Sequence, residues 1–227
     1  MSPFFFIFPL EFKKMEKILK LELQLLQIKM ILTTYSNESY LVGGCVRDSL
    51  LGIKPKDFDI VTDIPYDKLD EIFTEAGWAV SRTGENFLVL NIAKDGEQFE
   101  IANFRSDAKT SDGRRPEFVE IGDINNDFLR RDFTINTLYN RMSNGELIDP
   151  TGKGLDDINT RTLRFVGKAE DRIHEDYLRI FRWARFVSNG WVPLKKDVKI
   201  FRTMFKEAYE NTTAERVRME LEKIIKL

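Results

Sequence analysis

Read from the amino terminus, the first sustained pattern is helical. Residues 11–32 contain neither Gly nor Pro, and Met15, Ile18, Leu19, Leu23, Leu26 and Met30 recur at helical spacings. This predicts an amphipathic helix that serves as packing material. The pattern then shortens. Tyr40-Leu41-Val42 is an apolar run that meets Gly43-Gly44, and the helix-compatible VRDSLL ends at Gly52, which predicts strand, tight turn and short helix. KDFDIVTD, residues 56–63, alternates with a period of two and reads as a strand, and 67–76 reads as a helix. Residues 87–93 and 98–104 form two more strand-like runs, joined by KDGE, whose Asp95-Gly96 is a hairpin signal.

Residues 105–116, RSDAKTSDGRRP, are polar and turn-rich and predict a mobile surface loop. RRDFTINTLYNRM, then Asn144-Gly145 and ELIDP, reads as a helix or strand pair that closes the first unit near Pro150. Beyond TGKG the pattern is helical to the end, most clearly over 170–188 and 213–227, and the chain shows no internal repeat or low-complexity tract. The expectation is an α+β protein: an N-terminal extension and helix over 1–30, a head of mixed small sheet and helices over 31–150, and a helical neck over 151–227. The length of 227 residues suits one domain with a substantial appendage.

Composition narrows the class. With 42% hydrophobic and 32% charged residues, the chain is neither largely disordered nor a polytopic membrane protein. A formal charge of −2 means that a nucleic acid would have to meet local basic patches. One cysteine, Cys45, and one histidine, His174, supply neither an intramolecular disulfide nor a zinc cluster, which fits a reducing, cytoplasmic setting. The opening MSPFFFIFPL is too short to span a bilayer and reads as a tail or an upstream start.

Candidate chemistry begins at Asp57 and Asp59. On a strand, residues two apart send both carboxylates to one face while Phe58 and Ile60 turn to the core. Such a pair can cradle Mg²⁺ and leave room for substrate phosphates, although an isolated Asp-x-Asp is more often a solvated strand face. Gly43-Gly44, opening a helix, offers backbone amides to a triphosphate, with Arg47 aimed at the same anion; the plain alternative is an ordinary tight turn. Glu100, on the strand after the hairpin, reads either as a base or third metal contact or as simple solvent exposure. TGKG lacks the spacing of a phosphate-binding loop and is set aside, and His174 reads as structural.

Taken together, YLVGGCVRD, DFD, RRP, RRDFTIN, DP-x-G-x-G, RTLRFVG and EDYLRIFRWARF, in that order from Tyr40 to Phe186, resemble the bacterial, class II branch of the CCA-adding tRNA nucleotidyltransferases and bacterial poly(A) polymerases. These lie within the DNA polymerase beta-like nucleotidyltransferase superfamily. The resemblance implies a polymerase beta-like head, template-independent addition of C and A from CTP and ATP to the tRNA 3′ end, and two Mg²⁺ ions at Asp57 and Asp59. It implies that Gly43, Gly44 and Arg47 meet nucleotide phosphates and sugar, and that Arg131 contacts the nucleotide. Asp132 and Asn136 would orient the ribose and hold the domains together. It assigns Asp176 and Arg179 to the base, with Arg182 and Arg185 contacting phosphates or supporting that pair.

At ~100° per residue, Asp176 and Arg179 would stand about 60° apart on one helix face. A carboxylate accepting from an exocyclic amine, beside a guanidinium donating to a ring nitrogen, suits cytosine and adenine; uracil and guanine reverse the pattern. The bland alternative is a surface ion pair. Family members normally continue into body and tail regions that hold tRNA, whereas this sequence stops at Leu227. That leaves open a fragment, a minimal enzyme, or an assembly in which a second subunit or oligomer replaces them. Poly(A) polymerase, partial CC- or A-adding and noncatalytic RNA-binding readings stand as rivals, and the undeleted 105–114 loop favours CCA over CC alone.

Overall fold

The computed structural model describes residues 8–107 and 119–225. Residues 108–116 of the expected surface loop, Arg114 among them, and the first seven residues therefore lie outside the described residues. In chain order, α1 (Phe8–Tyr35), β1 (Ser39–Val42), α2 (Gly44–Leu50), β2 (Asp59–Thr62), α3 (Tyr66–Glu75), β3 (Ala79–Gly84), β4 (Val89–Lys94) and β5 (Glu97–Asn103) come first. The short β6 (Arg105–Asp107) and β7 (Val119–Ile121), α4 (Ile124–Asp127), β8 (Tyr139–Arg141) and β9 (Leu147–Ile148) complete the head. The expected neck region, 151–227, holds α5 (Gly154–Asn159), β10 (Thr162–Leu163), α6 (Ala169–Glu175), α7 (Leu178–Ser188), β11 (Val192–Pro193), α8 (Lys195–Glu210) and α9 (Ala214–Ile225). The class is α+β. Among the described residues no helix is long and apolar enough to cross a membrane.

Seven strands form one mixed sheet in the order β3-β4-β5-β2-β1-β8-β9. The Asp95-Gly96 turn joins β4 to β5 with φ of 50° and 85°, the two positive values that a two-residue type I′ turn needs. The one parallel pairing in this sheet, β2 with β5, sets Asp59 opposite Glu100 and Ile60 opposite Ile101. Strand alternation then divides the faces. Ile60, Leu90, Ile92, Phe99 and Ile101 pack with Ile28 and Leu32 of α1 and with Leu69, Ile72 and Phe73 of α3. Tyr40, Val42, Val61, Phe104 and Tyr139 pack on the other face, and Asp59 shares the parity of Val61. Helix α1 thus runs without a break through residue 30, on the sheet face opposite the acidic strand position.

A third core crosses from head to neck: Cys45, Val46, Phe133, Ile135 and Leu138 pack with Leu163, Phe165, Ile173, Ile180 and Phe186. The Phe133 ring lies 4.8 Å from that of Phe165 and 5.3 Å from that of Phe186, centroid to centroid. Backbone bonds reinforce the seam, from Thr134 N–H to the Arg164 carbonyl and from Val166 N–H to the Asp132 carbonyl, both 3.0 Å. That pairing accompanies 3₁₀ turns at Phe128–Arg130 and Thr134–Asn136 in place of the helix alternative, and the expected strand pair follows as antiparallel β8 and β9, with Tyr139 opposite Ile148 and Asn140 opposite Leu147 just before Pro150.

Two other expectations need correction. The strand predicted over 56–63 begins only at Asp59, and Asp57 sits in the bend before it. The reason lies in the neighbouring strand: β1 ends at Val42, opposite Asp59, and turns away into α2, leaving 56–58 without a ladder partner there. The helix predicted over 170–188 is broken at Asp176, whose backbone is extended at φ −154° and ψ 105°. Its own carboxylate accepts from Leu178 N–H at 3.1 Å, a local bond that competes with helix continuation.

TGKG has a packing role. A Cβ on Gly154 would lie 2.8 Å from the Thr134 carbonyl oxygen and 2.9 Å from Leu138 Cδ2, so only glycine lets α5 approach the head this closely. Gly154→Val should therefore destabilise the fold by about 1–3 kcal/mol, read as a lower midpoint in chemical denaturation. An unchanged midpoint would show that the seam has slack.

Candidate active site

The site is built around the turn that follows β1. Gly43 has φ 78° and ψ −130°, a conformation that strains any side chain. A Cβ there would stand 3.4 Å from Asp59 Oδ2 and 3.5 Å from Arg131 Nη1. The glycine thus lets the backbone lie between a carboxylate and a guanidinium. Gly44 opens α2 directly behind it.

Asp59 and Glu100 are cross-strand partners, and Asp57 approaches from the bend. Asp59 is open to solvent, yet protein crowds it. Burial, the Asp57 charge and the Glu100 charge push its carboxyl above the usual range, against the pull of Arg131 and Arg182. Arg131 and Arg182 of α7 are thus near enough to Asp59 for their charges to be felt there. Among the described residues no three His, Cys, Asp or Glu side chains are placed to hold a metal ion together. Asp57 and Asp59 form the expected donor pair, with Glu100 opposite Asp59 on β5. Two solvent-accessible carboxylates two residues apart suit a hard divalent cation that completes its shell with water and phosphate oxygens.

Three networks hold the cations around this acidic floor. In the first, Arg131 donates from Nε and Nη2 to Asp127 Oδ2 at 2.9 and 2.7 Å, and from Nε to the Tyr139 hydroxyl at 3.1 Å. Its guanidinium lies 5.4 Å from the Tyr139 ring centroid. Burial disfavours the charge on Arg131, but Asp127 and Tyr139 outweigh it and hold the side chain protonated. Burial likewise works against the Asp127 carboxylate, and Arg131 and Arg130 overcome it, keeping that group well below the usual range.

The second network is a relay. Arg47 Nη1 donates to Asn136 Oδ1 at 2.5 Å, Asn136 Nδ2 to Asp132 Oδ1 at 3.0 Å, and Arg182 Nε to Asp132 Oδ2 at 2.8 Å. Arg47 also donates to Asp48 at 2.9 Å and lies 5.2 Å from the Phe186 ring centroid. Four residues singled out in the sequence, from the glycine-turn helix, the 3₁₀ segment and α7, thus form one chain from head to neck.

The third network departs from expectation. Asp176 and Arg179 do not share a helix face, because Asp176 lies in the break between α6 and α7. Arg216 of α9 grips Asp176 through both carboxylate oxygens, at 3.1 and 3.0 Å. Arg179 donates to the Arg172 carbonyl at 2.8 Å, to Glu175 at 2.6 Å and to the Arg130 carbonyl at 2.6 Å. Arg185 is tied to buried Glu220 of α9 at 2.6 Å. Asp176 nonetheless adds to the field at Arg182, and Arg179 to that at Asp132, so both belong to the same neighbourhood. His174 lies on the surface, 3.8 Å from Glu207.

Sequence reasoning missed Asp127, Tyr139, Glu175, Arg216 and Glu220. Asp127 carries a readable signal, its i,i+4 spacing to Arg131. Arg216 and Glu220 lie 40 and 35 positions from their partners, and no local spacing points to them.

Residues 39–164 match the family model described as the poly A polymerase head domain. The chain belongs to this family. A CCA-adding enzyme of Lactococcus lactis is 36% identical over 217 residues, covering 92% of this chain and 52% of the relative. One from Geobacillus thermodenitrificans is 36% identical over 203 residues, covering 89% and 49%. The solved Bacillus stearothermophilus CCA-adding enzyme in complex with CTP aligns with a TM-score of 0.74 at 31% identity, over 88% of this chain and 47% of that one. The Thermotoga maritima CCA-adding enzyme complexed with tRNA aligns at 0.66 and 29%, over 82% and 42%. This poly(A) polymerase-family chain spans about half the length of the curated relatives it matches.

The relay has a pH signature. Burial opposes ionisation of Asp132, but Arg182 and Asn136 pull its carboxyl down to about 2. A depressed folded-state value means stability that is present above the ordinary carboxyl range, near pH 4, and lost as pH falls through about 2. Asp132→Asn should lose about 2 kcal/mol at neutral pH and show a flatter acid limb between pH ~4 and ~2. Denaturation curves at stepped pH read both effects, and parallel acid limbs in the two proteins would contradict them.

Proposed function

We propose that this chain is the catalytic head and neck of a CCA-adding tRNA nucleotidyltransferase of the class II type, acting in a reducing, cytoplasmic setting. The carrying observation is the Gly43 turn, which stands between Asp59 and Arg131, with Glu100 opposite Asp59 and the Arg47–Asn136–Asp132–Arg182 chain running from it to α7. Solved relatives in complex with CTP and with tRNA support the substrate class, and ATP completes the pair of nucleotides required for C and A addition.

In this reading Asp57 and Asp59 hold Mg²⁺, expected as two ions, with Glu100 facing Asp59 from β5 as a charge neighbour or base. Bound metal would lower the pKa of the RNA 3′ hydroxyl and balance charge on the phosphates. The chain's own groups do the positioning. The backbone of Gly43 and Gly44 lets a triphosphate come close, Arg131 meets its anionic oxygens, and its fixed Asp127–Tyr139 cradle spares it reorganisation. Arg47, Asn136, Asp132 and Arg182 keep the neck at a set distance from the phosphates, with Asp132 and Asn136 beside the ribose.

Base choice falls to Asp176 and Arg179. A carboxylate oxygen already accepting from Arg216 retains a lone pair for an exocyclic amine, and Arg179 has five N–H donors of which three are placed. A base with the reversed pattern leaves these groups facing like against like, which disfavours UTP and GTP. Arg185 supports this arrangement through Glu220.

Incubation of the protein with Mg²⁺, CTP and ATP and a tRNA lacking its last three residues, followed by sequencing of the ends, should show C, C and A added and then arrest. Asp57→Ala should abolish incorporation while RNA binding persists. A long A tract on unrelated RNA would instead identify a poly(A) polymerase, and RNA binding without any incorporation would identify a noncatalytic module. In the same assay Asp176→Arg should lose the preference for C and A; intact rejection of UTP and GTP by that variant would remove Asp176 from base selection.

A further inference from the structure

Helix α1 carries two apolar faces. One meets the head through Ile28 and Leu32, which are fully buried. The other, turned about 180° away at ~100° per residue, bears Leu19, Leu23, Leu26 and Met30. These four side chains are 50–63% exposed, a continuous stripe on the surface of the molecule. Scattered exposed leucines need no explanation, but a line of four on one helix does.

Their spacing of four, three and four is that of d, a, d and a positions in two heptads. The flanks then carry information. Glu22 and Lys29 precede the a positions, at g, while Lys20 and Gln27 follow the d positions, at e. In a parallel pair, g faces e′ of the next heptad, so Glu22 would meet Gln27′ and Lys29 would meet Thr34′, with no ion pair. In an antiparallel pair, g faces g′. Glu22 then meets Lys29′ and Lys29 meets Glu22′, while Leu19 layers with Met30′ and Leu23 with Leu26′. Glu22 already touches Lys54 of its own chain at 3.2 Å, through side chains that are largely exposed and screened, so it is free to exchange.

We infer that α1 is a self-association surface whose partner is a second copy of this chain, packed antiparallel through Leu19, Leu23, Leu26 and Met30 with reciprocal Glu22–Lys29′ ion pairs. The helix is already ordered against the head, so association does not bear the cost of forming it. Because α1 covers the sheet face opposite Asp59, pairing leaves both clefts open to nucleotide and RNA.

Sedimentation velocity of the full chain from micromolar to submillimolar concentration should show a monomer–dimer equilibrium. Leu23→Glu/Leu26→Glu should shift it to monomer while circular dichroism and the unfolding midpoint are retained. Glu22→Lys should weaken dimerisation several-fold, and Glu22→Lys/Lys29→Glu should restore it, since the swapped charges again face each other. A wild-type chain that stays monomeric throughout, or a dimer indifferent to Leu23→Glu/Leu26→Glu, would overturn the inference. A double charge swap that fails to restore association would overturn the antiparallel arrangement.

Discussion

The ion pair between Asp132 and Arg182 is the constraint on which the rest of the molecule depends. Asp132 belongs to the segment that leads into β8, and Arg182 to the first full neck helix, so their 2.8 Å hydrogen bond fixes where α7 stands relative to the sheet. Asn136 extends the link to Arg47, which packs over Phe186 of the same helix. Asp132 is buried and Arg182 half-buried, so losing Arg182 would leave a buried carboxylate without its counter-charge. Around it, Phe133, Phe165 and Phe186 make a continuous apolar seam. Head and neck are therefore one packed body, and the spacing between acidic floor and neck helix is set by core packing rather than by a hinge.

That rigidity matters for the chemistry proposed. Without a nucleic acid template, the identity of an incoming nucleotide must be read by side chains held at a defined distance from the phosphates. In the proposed reading, Arg131 in its Asp127–Tyr139 cradle would fix one end of that ruler, and Asp176 and Arg179 the other. Helix α9 holds the second end, through Arg216 on Asp176 and Glu220 on Arg185. A change in α9 therefore reaches Asp176 and Arg185 directly.

Much of this was legible in the sequence where the signal is local. Asp95-Gly96 gave its hairpin because both residues tolerate positive φ, and Gly43-Gly44 gave a turn into a helix for the same reason. The acidic pair and the relay residues were found as motif members, and Arg47, Asn136, Asp132 and Arg182 are joined by hydrogen bonds. What could not be read locally was set by tertiary partners. Asp57 fell outside its strand because β1 ends opposite Asp59. Asp176 left the helix because its carboxylate caps Leu178 N–H, and Arg216, 40 positions away, completes its coordination. The packing role of TGKG, the close approach of Gly154 to the Thr134 carbonyl, needed coordinates.

The central claim, that the strand acids and the neck arginines line one cation- and nucleotide-binding cleft, is tested most directly by paramagnetic relaxation. Titration with Mn²⁺ and CTP, followed through the arginine Nε–H resonances, should broaden Arg131 and Arg182 well before Arg82, which sits in the surface ion-pair cluster of α3 and β3, and Asp57→Ala/Asp59→Ala should abolish the selectivity. Uniform broadening, or an Arg182 resonance left sharp while Arg131 disappears, would contradict the account.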